Sequence, residues 1–247
     1  MLAESLVRFI EIVQIALHPN GRLNYLINRA ASISSFNILI KLKKIVPDIS
    51  SIIDVGANQG QFALAASRLF SNAVIHSFEP VPDSFLVLQQ NLSKSSLTRF
   101  YNYGLGSKSG EINFYKNAHS HASSALPVSE FQKKEIPKTA QSTPINVHIN
   151  TLDAVIDNLG HLPSPILLKL DVQGYEKEVL LGARDFIKRV DYLLFETSFV
   201  KMYEGEPLFD EMHEYVKNLG FQLIGPVGSL QSSSSQIMQM DMLYKRV

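Results

Sequence analysis

Cysteine is absent from the 247 residues. That excludes disulfides and thiolate metal sites, and it fits a reducing compartment. An excess of either charge is absent too: Lys plus Arg and Asp plus Glu both number 23. A protein built chiefly to bind nucleic acid normally carries a basic surplus, so nucleic acid is not an expected partner. Long apolar runs are missing as well, and none approaches the roughly 20 residues of a membrane span. The amino terminus has Glu4 early and no clean apolar core, which argues against a signal peptide and for a cytoplasmic protein. No internal repeat is visible. What remains is 45% hydrophobic and 19% charged, a composition that folds as one domain with a sizeable core.

The most informative stretch is residues 51–62. A β-branched run, Ile52-Ile53, ends on Asp54, turns through Gly56 and Gly60, and opens at Phe62 into an alanine-rich helix. In an open α/β sheet the crevice beyond such a strand end is where ligands sit. Gly56 and Gly60 permit backbone angles closed to other residues and let a ligand approach the main chain. A dinucleotide turn would read G-x-G-x-x-G, but Asn58 stands where the middle glycine belongs and would crowd a diphosphate. Asp54 would repel a phosphate and suits an ammonium. A carboxylate, two glycines and an amide therefore suit an amino-acid-like ligand such as the methionine part of S-adenosylmethionine (SAM).

Taken from the start, residues 1–46 read as a helical extension and residues 47–247 as the main domain. Leu6, Val7, Ile10, Val13 and Leu17 recur at helical spacing until His18-Pro19-Asn20-Gly21 interrupts them. Leu23, Leu26, Ile27, Ala30 and Ile33, then Ile38, Leu39, Leu42 and Ile45, form the next runs. They are expected to pack as a cap on the sheet. A weak membrane-surface contact through Lys41, Lys43 and Lys44, or oligomerisation through these helices, is compatible with the pattern.

The second strand, residues 73–79, ends on Glu79 and is stopped by Pro80. An acid at that strand end accepts hydrogen bonds from the ribose hydroxyls of an adenosine. The third strand, over residues 101–106, brings Gly104 and Leu105 beside the adenine, and residues 111–115 form a short paired strand. Residues 117–144 are polar, irregular and long enough to read as a lid or substrate loop, with His119 and His121 as loop histidines. A buried strand then carries Lys169 and Asp171 on one face, and the helix expected over residues 175–187 presents Glu176 in its first turn. Charge in a buried strand is costly unless used or paired, so Lys169, Asp171 and Glu176 are the candidate catalytic groups. Glu196, at the end of the next strand, is a further candidate. Residues 221–224 and 240–244 are expected to close the sheet as an antiparallel pair around a serine turn at residues 232–235.

Four blocks in order, Asp54-Val55-Gly56-Ala57-Asn58-Gln59-Gly60, Phe78-Glu79-Pro80, Leu170-Asp171-Val172-Gln173-Gly174-Tyr175-Glu176 and Asp241-Met242-Leu243-Tyr244, resemble the FkbM-type SAM-dependent methyltransferases. The resemblance spans about residues 51–244 and leaves out the amino-terminal helices. It implies a class I, Rossmann-like methyltransferase fold: a seven-stranded, mostly parallel α/β sheet with one antiparallel strand and helices on both faces. It also implies O-methylation of a sugar, glycan or natural-product hydroxyl. The acidic turn and Glu79 then hold SAM, with Asp54, Gly56, Asn58, Gly60, Phe62, Glu79, Pro80, Gly104 and Leu105 as the cofactor set. The family pattern often has Glu where this chain has Gln173.

Methyl transfer to a hydroxyl needs alignment and a proton acceptor, and Asp171 is the expected base or orienting acid, supported by Lys169 and Glu176. A carboxylate is a weak base for an alcohol, so it needs a raised pKa, a neighbouring histidine (His148, His119 or His121) or a carboxylate-bound Mg²⁺. Two other readings stand beside this one. They are a NAD-type oxidoreductase, opposed by Asn58, and a non-catalytic module that binds SAM or a nucleotide.

Overall fold

The computed structural model describes residues 2–19, 25–232 and 234–247. Leu23, with Asn20 and Gly21 of the predicted break and Ser233 of the predicted turn, lies outside them. The central strands are β1 (Ser51–Val55), β2 (Val74–Phe78), β3 (Thr98–Tyr101), β7 (Ile166–Leu170) and β8 (Tyr192–Ser198). The carboxyl-terminal hairpin adds β9 (Phe221–Gln231) and β10 (Ile237–Arg246). They form a seven-stranded sheet in the order β3-β2-β1-β7-β8-β10-β9. β10 runs antiparallel to both neighbours, while the other pairings are parallel. Every residue of β1 and of β7 is buried, as strands covered on both faces require.

Helices α1 (Leu2–Leu17), α2 (Ile33–Ile45) and α3 (Gln61–Leu69) lie on one side. α2 buries Phe36, Leu39 and Leu42 in the same core as Ile52 of β1 and the alanines of α3, so the amino-terminal segment is continuous with the sheet's own packing. The apolar stripe of α1 does not behave as expected. Leu6, Phe9, Ile10, Val13 and Leu17 are exposed, and Ile15 is the residue that enters the core. The period selects a face but not the side to which it turns: α1 leans on α2, where Asn37 Nδ2 donates to Glu11 Oε1 at 3.0 Å. The lysines of α2 are largely engaged at home. Lys41 Nζ donates to the Val227 carbonyl at 2.8 Å and Lys43 Nζ to the Leu69 carbonyl. Among the described residues, no helix is long and apolar enough to cross a membrane.

On the switch between β1 and β7 the connection direction reverses, which opens the crevice in which this sheet type binds ligands. α4 (Pro82–Asn91) follows β2. The predicted third strand is split. β3 ends at Tyr101, because Asn102 Nδ2 donates to the Glu79 and Pro80 carbonyls at 2.9 and 3.3 Å and turns the chain. β4 (Gly104–Leu105) then joins a separate three-stranded sheet with β5 (Gly110–Asn117) and β6 (Ser142–Asn150). The segment read as irregular contains a short helix, α5 (Glu130–Glu135), and two single 3₁₀ turns. α6 (Leu152–Val155) precedes β7, and α7 (Glu176–Leu181) follows it. α7 is shorter than its apolar stripe suggests, because it stops at Gly182, where a β-carbon would stand 2.0 Å from the Gly106 carbonyl oxygen. Ala183, Phe186 and Ile187 remain buried beyond the break. α8 (Phe209–Asn218) packs before β9.

Candidate active site

The glycine-rich turn is held by its neighbours' backbones. Gly56 and Ala57 both donate to the Phe78 carbonyl of β2, at 3.1 and 3.0 Å, and Asp171 donates to the Val55 carbonyl at 3.1 Å. Gly56 adopts φ +78°, and a β-carbon there would lie 1.9 Å from the Asp171 carbonyl oxygen. Only glycine lets the two strand ends approach so closely. Asn58 also has positive φ, at 47°, a region that asparagine tolerates. Gly60 caps α3 at φ +91°.

Glu79 is 6% exposed, and its two oxygens accept from the backbone amides of Asn58, at 2.8 Å, and Val81, at 2.9 Å. Burial pushes its carboxyl up to about 7, against those two hydrogen bonds. Each oxygen keeps an acceptor direction for a ligand. Asp54 is wholly buried and lines neither cleft of the site. The cation it faces is Lys169, one register partner away on β7, with Nζ 3.0 Å from Asp54 Oδ1. Burial raises the Asp54 carboxyl, and Lys169 opposes that rise. The carboxylates in turn hold Lys169 above its ordinary value, overcoming a burial effect in the other direction. The same ammonium donates to the Gly56 carbonyl at 3.3 Å, lies 3.5 Å from Asp171 Oδ2, and sits 5.3 Å above the Phe62 ring. An Asp54–Lys169 pair thus supports the turn from below.

At the β7 end, Asp171 keeps its side chain 41% exposed. Gln173 organises it. Its Nε2 donates to Asp171 Oδ1 at 2.7 Å and to Glu196 Oε2 at 2.8 Å, while its Oε1 accepts from the Tyr203 hydroxyl at 2.6 Å. Gln173 adopts φ 58°, and its carbonyl accepts from Ser124 Oγ at 2.7 Å. Tyr203 is fixed by Glu206, which accepts from the amides of Met202 and Tyr203 and from Ser198 Oγ. Glu176 points elsewhere. Its Oε1 accepts from the Val172 and Gly174 amides at 3.0 and 3.4 Å, holding the turn, and burial lifts its carboxyl to about 8. The structure brings Lys169 and Asp171 together and sets Glu176 behind them.

Two clefts meet here. The first, of about 680 Å³ counted with its open mouth, lies between Glu79, Pro80, Gly104 and Leu105 on one side and Val172 and Tyr175 on the other. The small sheet covers it with Ile112, Phe114 and Ile149. The second, of about 1490 Å³, opens beside it between Ser32, Ser34 and Ser35, α5, and the β9–β10 hairpin. Gly56, Asn58, His121, Asp171 and Gln173 line both. Of the predicted cofactor set, Phe62 lines the second cleft, and Asp54 and Gly60 line neither.

Residues 117–144, read as a lid or substrate loop, touch the glycine-rich turn at two points. Ser120 Oγ accepts from Asn58 Nδ2 at 3.2 Å, and His121 stands at the junction, with Nε2 3.4 Å from Gln61 Nε2. Burial lowers the pKa of His121, and Asp171 partly opposes that shift. His119 lines the second cleft, and His148 lines neither. Asn58 Oδ1 is buried and has no hydrogen-bond partner within the protein. Among the described residues, no three His, Asp or Glu side chains are grouped to hold a metal ion, and Mg²⁺ finds no support. The amide of Gln173 fills the space between Asp171 and Glu196 where a cation would otherwise bridge them.

Sequence reasoning missed the Gln173–Tyr203 link and the Glu206 clamp. Gln173 ahead of Gly174 was the available signal for a tight turn, whereas Tyr203 lies 30 residues away in a loop and gave none.

Comparison with known proteins gives a consistent picture. A model of the methyltransferase FkbM domain matches residues 54–223. The hexuronic acid methyltransferase AglP of Haloferax volcanii is 31% identical over 146 residues, covering 58% of this chain and 54% of that protein. The 2-O-methyltransferase NoeI of Sinorhizobium fredii is 26% identical over 161 residues, covering 63% of this chain and 66% of that protein. The chain thus spans between about half and two thirds of the length of these relatives. Among solved structures, the N-terminal domain of EvdMO1 in the presence of SAH and D-fucose aligns with TM-score 0.49 at 8% identity, covering 87% of this chain and 83% of that one.

Proposed function

The chain belongs to the FkbM-domain methyltransferases, and from that premise we propose that it transfers a methyl group from S-adenosylmethionine to a hydroxyl of a sugar or natural-product acceptor. One observation carries the reading: a compact cleft beside Glu79 and a larger polar cleft share Gly56, Asn58, His121, Asp171 and Gln173 at their junction. That is the geometry of two reactants that meet through one opening.

The residues fit the cofactor. Glu79 would accept from the ribose hydroxyls with the lone pairs left over from Asn58 and Val81. Gly104, Leu105 and Pro80 would flank the base, and the unpartnered Asn58 Oδ1 would accept from the amino-acid end. S-adenosylmethionine supplies, when bound, a methyl group on a cationic sulfur. Asp171 accepts the hydrogen of the incoming hydroxyl and orients its oxygen. Gln173 and Lys169 hold the carboxylate in place, one on each oxygen. As the oxygen gains its methyl its proton passes to Asp171, and His121 at the junction is the group that can carry it onward. Glu176 positions the turn and does not touch the substrate. Alignment of this kind contributes roughly 7–11 kcal/mol in favourable systems, and a positioned base about 10²–10⁴-fold in rate.

The test is transfer of labelled methyl from SAM to a panel of sugar and polyketide hydroxyls, with calorimetry of SAM and NADH run in parallel. Binding of NADH in place of SAM, or SAM binding with no transfer to any hydroxyl acceptor, would overturn the assignment.

A further inference from the structure

The second cleft has a charge pattern that the methyl-transfer reading does not use. Asp241 on β10 pairs in register with Glu196 on β8, and Asp171 stands at the end of adjacent β7. Three carboxylates therefore lie in a row across neighbouring strands, an arrangement that is destabilising unless a partner offsets it. Glu135 adds a fourth from the opposite wall. Lys169 is already committed to Asp54 and Asp171, which leaves Lys138 as the other cation lining the cleft. Burial, then Asp171, raises the Asp241 carboxyl to about 6, against the opposing charges of Lys169 and Lys41.

The internal donors do not satisfy the row. The amides of Gln173 and Gln239 both go to Glu196, at 2.8 and 2.9 Å. Among the described residues, the Asp241 carboxylate makes no side-chain hydrogen bond or ion pair. Gly228 faces Asp241 so closely that a β-carbon would stand 2.2 Å from its Oδ2, so the strand opposite makes room for this carboxylate and offers it no side chain. A separate observation points to a ligand. Gln132, 3% exposed in the wall of the same cleft, has a buried Oε1 with no hydrogen-bond partner. A buried acceptor with no partner in the chain is met by an ordered water or by a ligand's donor.

Resting on the methyltransferase reading, we propose that the acceptor is an amino sugar or similar amino-polyol, its ammonium set against Asp241 and Glu196 and one hydroxyl set against Asp171. The cleft is rich in acceptors and poor in free donors, so it matches a ligand carrying N–H and O–H groups and repels one carrying a carboxylate. The carboxylates come from β7, β8, β10 and α5, and residues 32–38 and 230–241, which the family model does not match, complete the wall around them. An acidic acceptor such as the one in the name of the AglP relative is of the charge this cleft repels.

The experiment is calorimetry on the SAH-saturated protein with methyl β-D-glucosaminide, methyl β-D-glucoside and methyl β-D-glucuronide at pH 7. The glucosaminide is expected to bind at least tenfold tighter than the glucoside, with the glucuronide weakest. The glucosaminide advantage should shrink as salt rises from 50 to 500 mM. Asp241→Asn should lower glucosaminide affinity to the level of the glucoside. Glu135→Gln, on a separate element, should lower it by a smaller factor, and SAM affinity serves as the folding control for both. Equal binding of the three, tightest binding of the glucuronide, or no binding of any at millimolar concentration overturns the inference. If SAM binds and Glu79→Ala weakens it while one of those results is obtained, the inference alone falls. If SAM does not bind, both readings fall together.

Discussion

The two clefts are built by different means. The walls of the compact one come from residues 55–175, inside the family-matched segment, and its geometry is set by backbone. Gly56 touches a neighbouring carbonyl, and two main-chain amides fix Glu79. The larger cleft draws about a third of its lining from outside that segment, from residues 32–38 and 230–241, and its polar surface is made of side chains. A surface defined by backbone tolerates little substitution, whereas one defined by side chains can be respecified one residue at a time. This contrast explains how one donor chemistry is compatible with different acceptors. It also makes the junction residues the place where the two kinds of construction must agree.

The largest effect is expected at that junction. Asp171→Asn should reduce turnover by about 10²–10⁴-fold, the range of a positioned proton-handling group. SAM affinity should stay within about threefold, because Gln173 and Lys169 carry the local structure. A variant with normal turnover would remove Asp171 from the chemistry. On the donor side the pattern reverses. Glu79→Ala should weaken SAM binding by roughly 10- to 100-fold, as expected for hydrogen bonds to a charged group. Turnover at saturating SAM should change far less. Equal loss in both parameters for both variants would erase the distinction between the clefts.

Acidity sharpens the same contrast. Burial holds Glu79 at about 7, against 4.5 for a free glutamate. The ribose hydroxyls favour its ionised form, so SAM affinity should rise up to about tenfold from pH 6 to pH 8, with a proton released on binding. The stability of the ligand-free protein should move the other way. A raised acid contributes stability that is complete below the unfolded value and lost as pH rises through the folded one. For Glu79 that window runs from 4.5 to about 7, and for Glu176 from 4.5 to about 8. Thermal melts of the free protein should therefore fall across this range while SAM affinity climbs. Glu79→Gln should flatten the affinity profile, and a profile unchanged in that variant would assign the titration to another group.

Much of the donor side was legible in sequence because its signals are local. Asp54, Gly56 and Gly60 form a strand–turn–helix within seven residues, and Glu79 closes the next strand. Lys169 and Asp171 announced themselves as charges in an otherwise apolar strand. The role of Asp54 was not legible, since its partner Lys169 is a cross-strand neighbour more than a hundred residues away. The direction of the α1 stripe was hidden for a similar reason: periodicity marks a face, and only tertiary packing decides where it points. The larger cleft was least visible. Gln132 and Glu135 on one helix and Gln239 on the last strand show no pattern until the fold lines one cleft with them.

The finest test concerns a residue that touches neither reactant. Tyr203 lines neither cleft, yet its hydroxyl is the donor that orients the Gln173 amide, and through it Asp171 and Glu196. Without that hydroxyl, Gln173 Oε1 loses its partner and the amide is freer to rotate away from Asp171. A hydrogen bond of this kind contributes about 1 kcal/mol, which corresponds to roughly fivefold in rate. Tyr203→Phe should therefore lower kcat about fivefold. SAM affinity should change little, because the bonds that fix Glu79 do not pass through Tyr203. A merely structural role would instead lower the melting temperature and scatter losses over both substrates. The effect is informative because it is small and one-sided. It appears in the acceptor half alone if Gln173 is the link between that half and Asp171, and in neither or both halves if it is not.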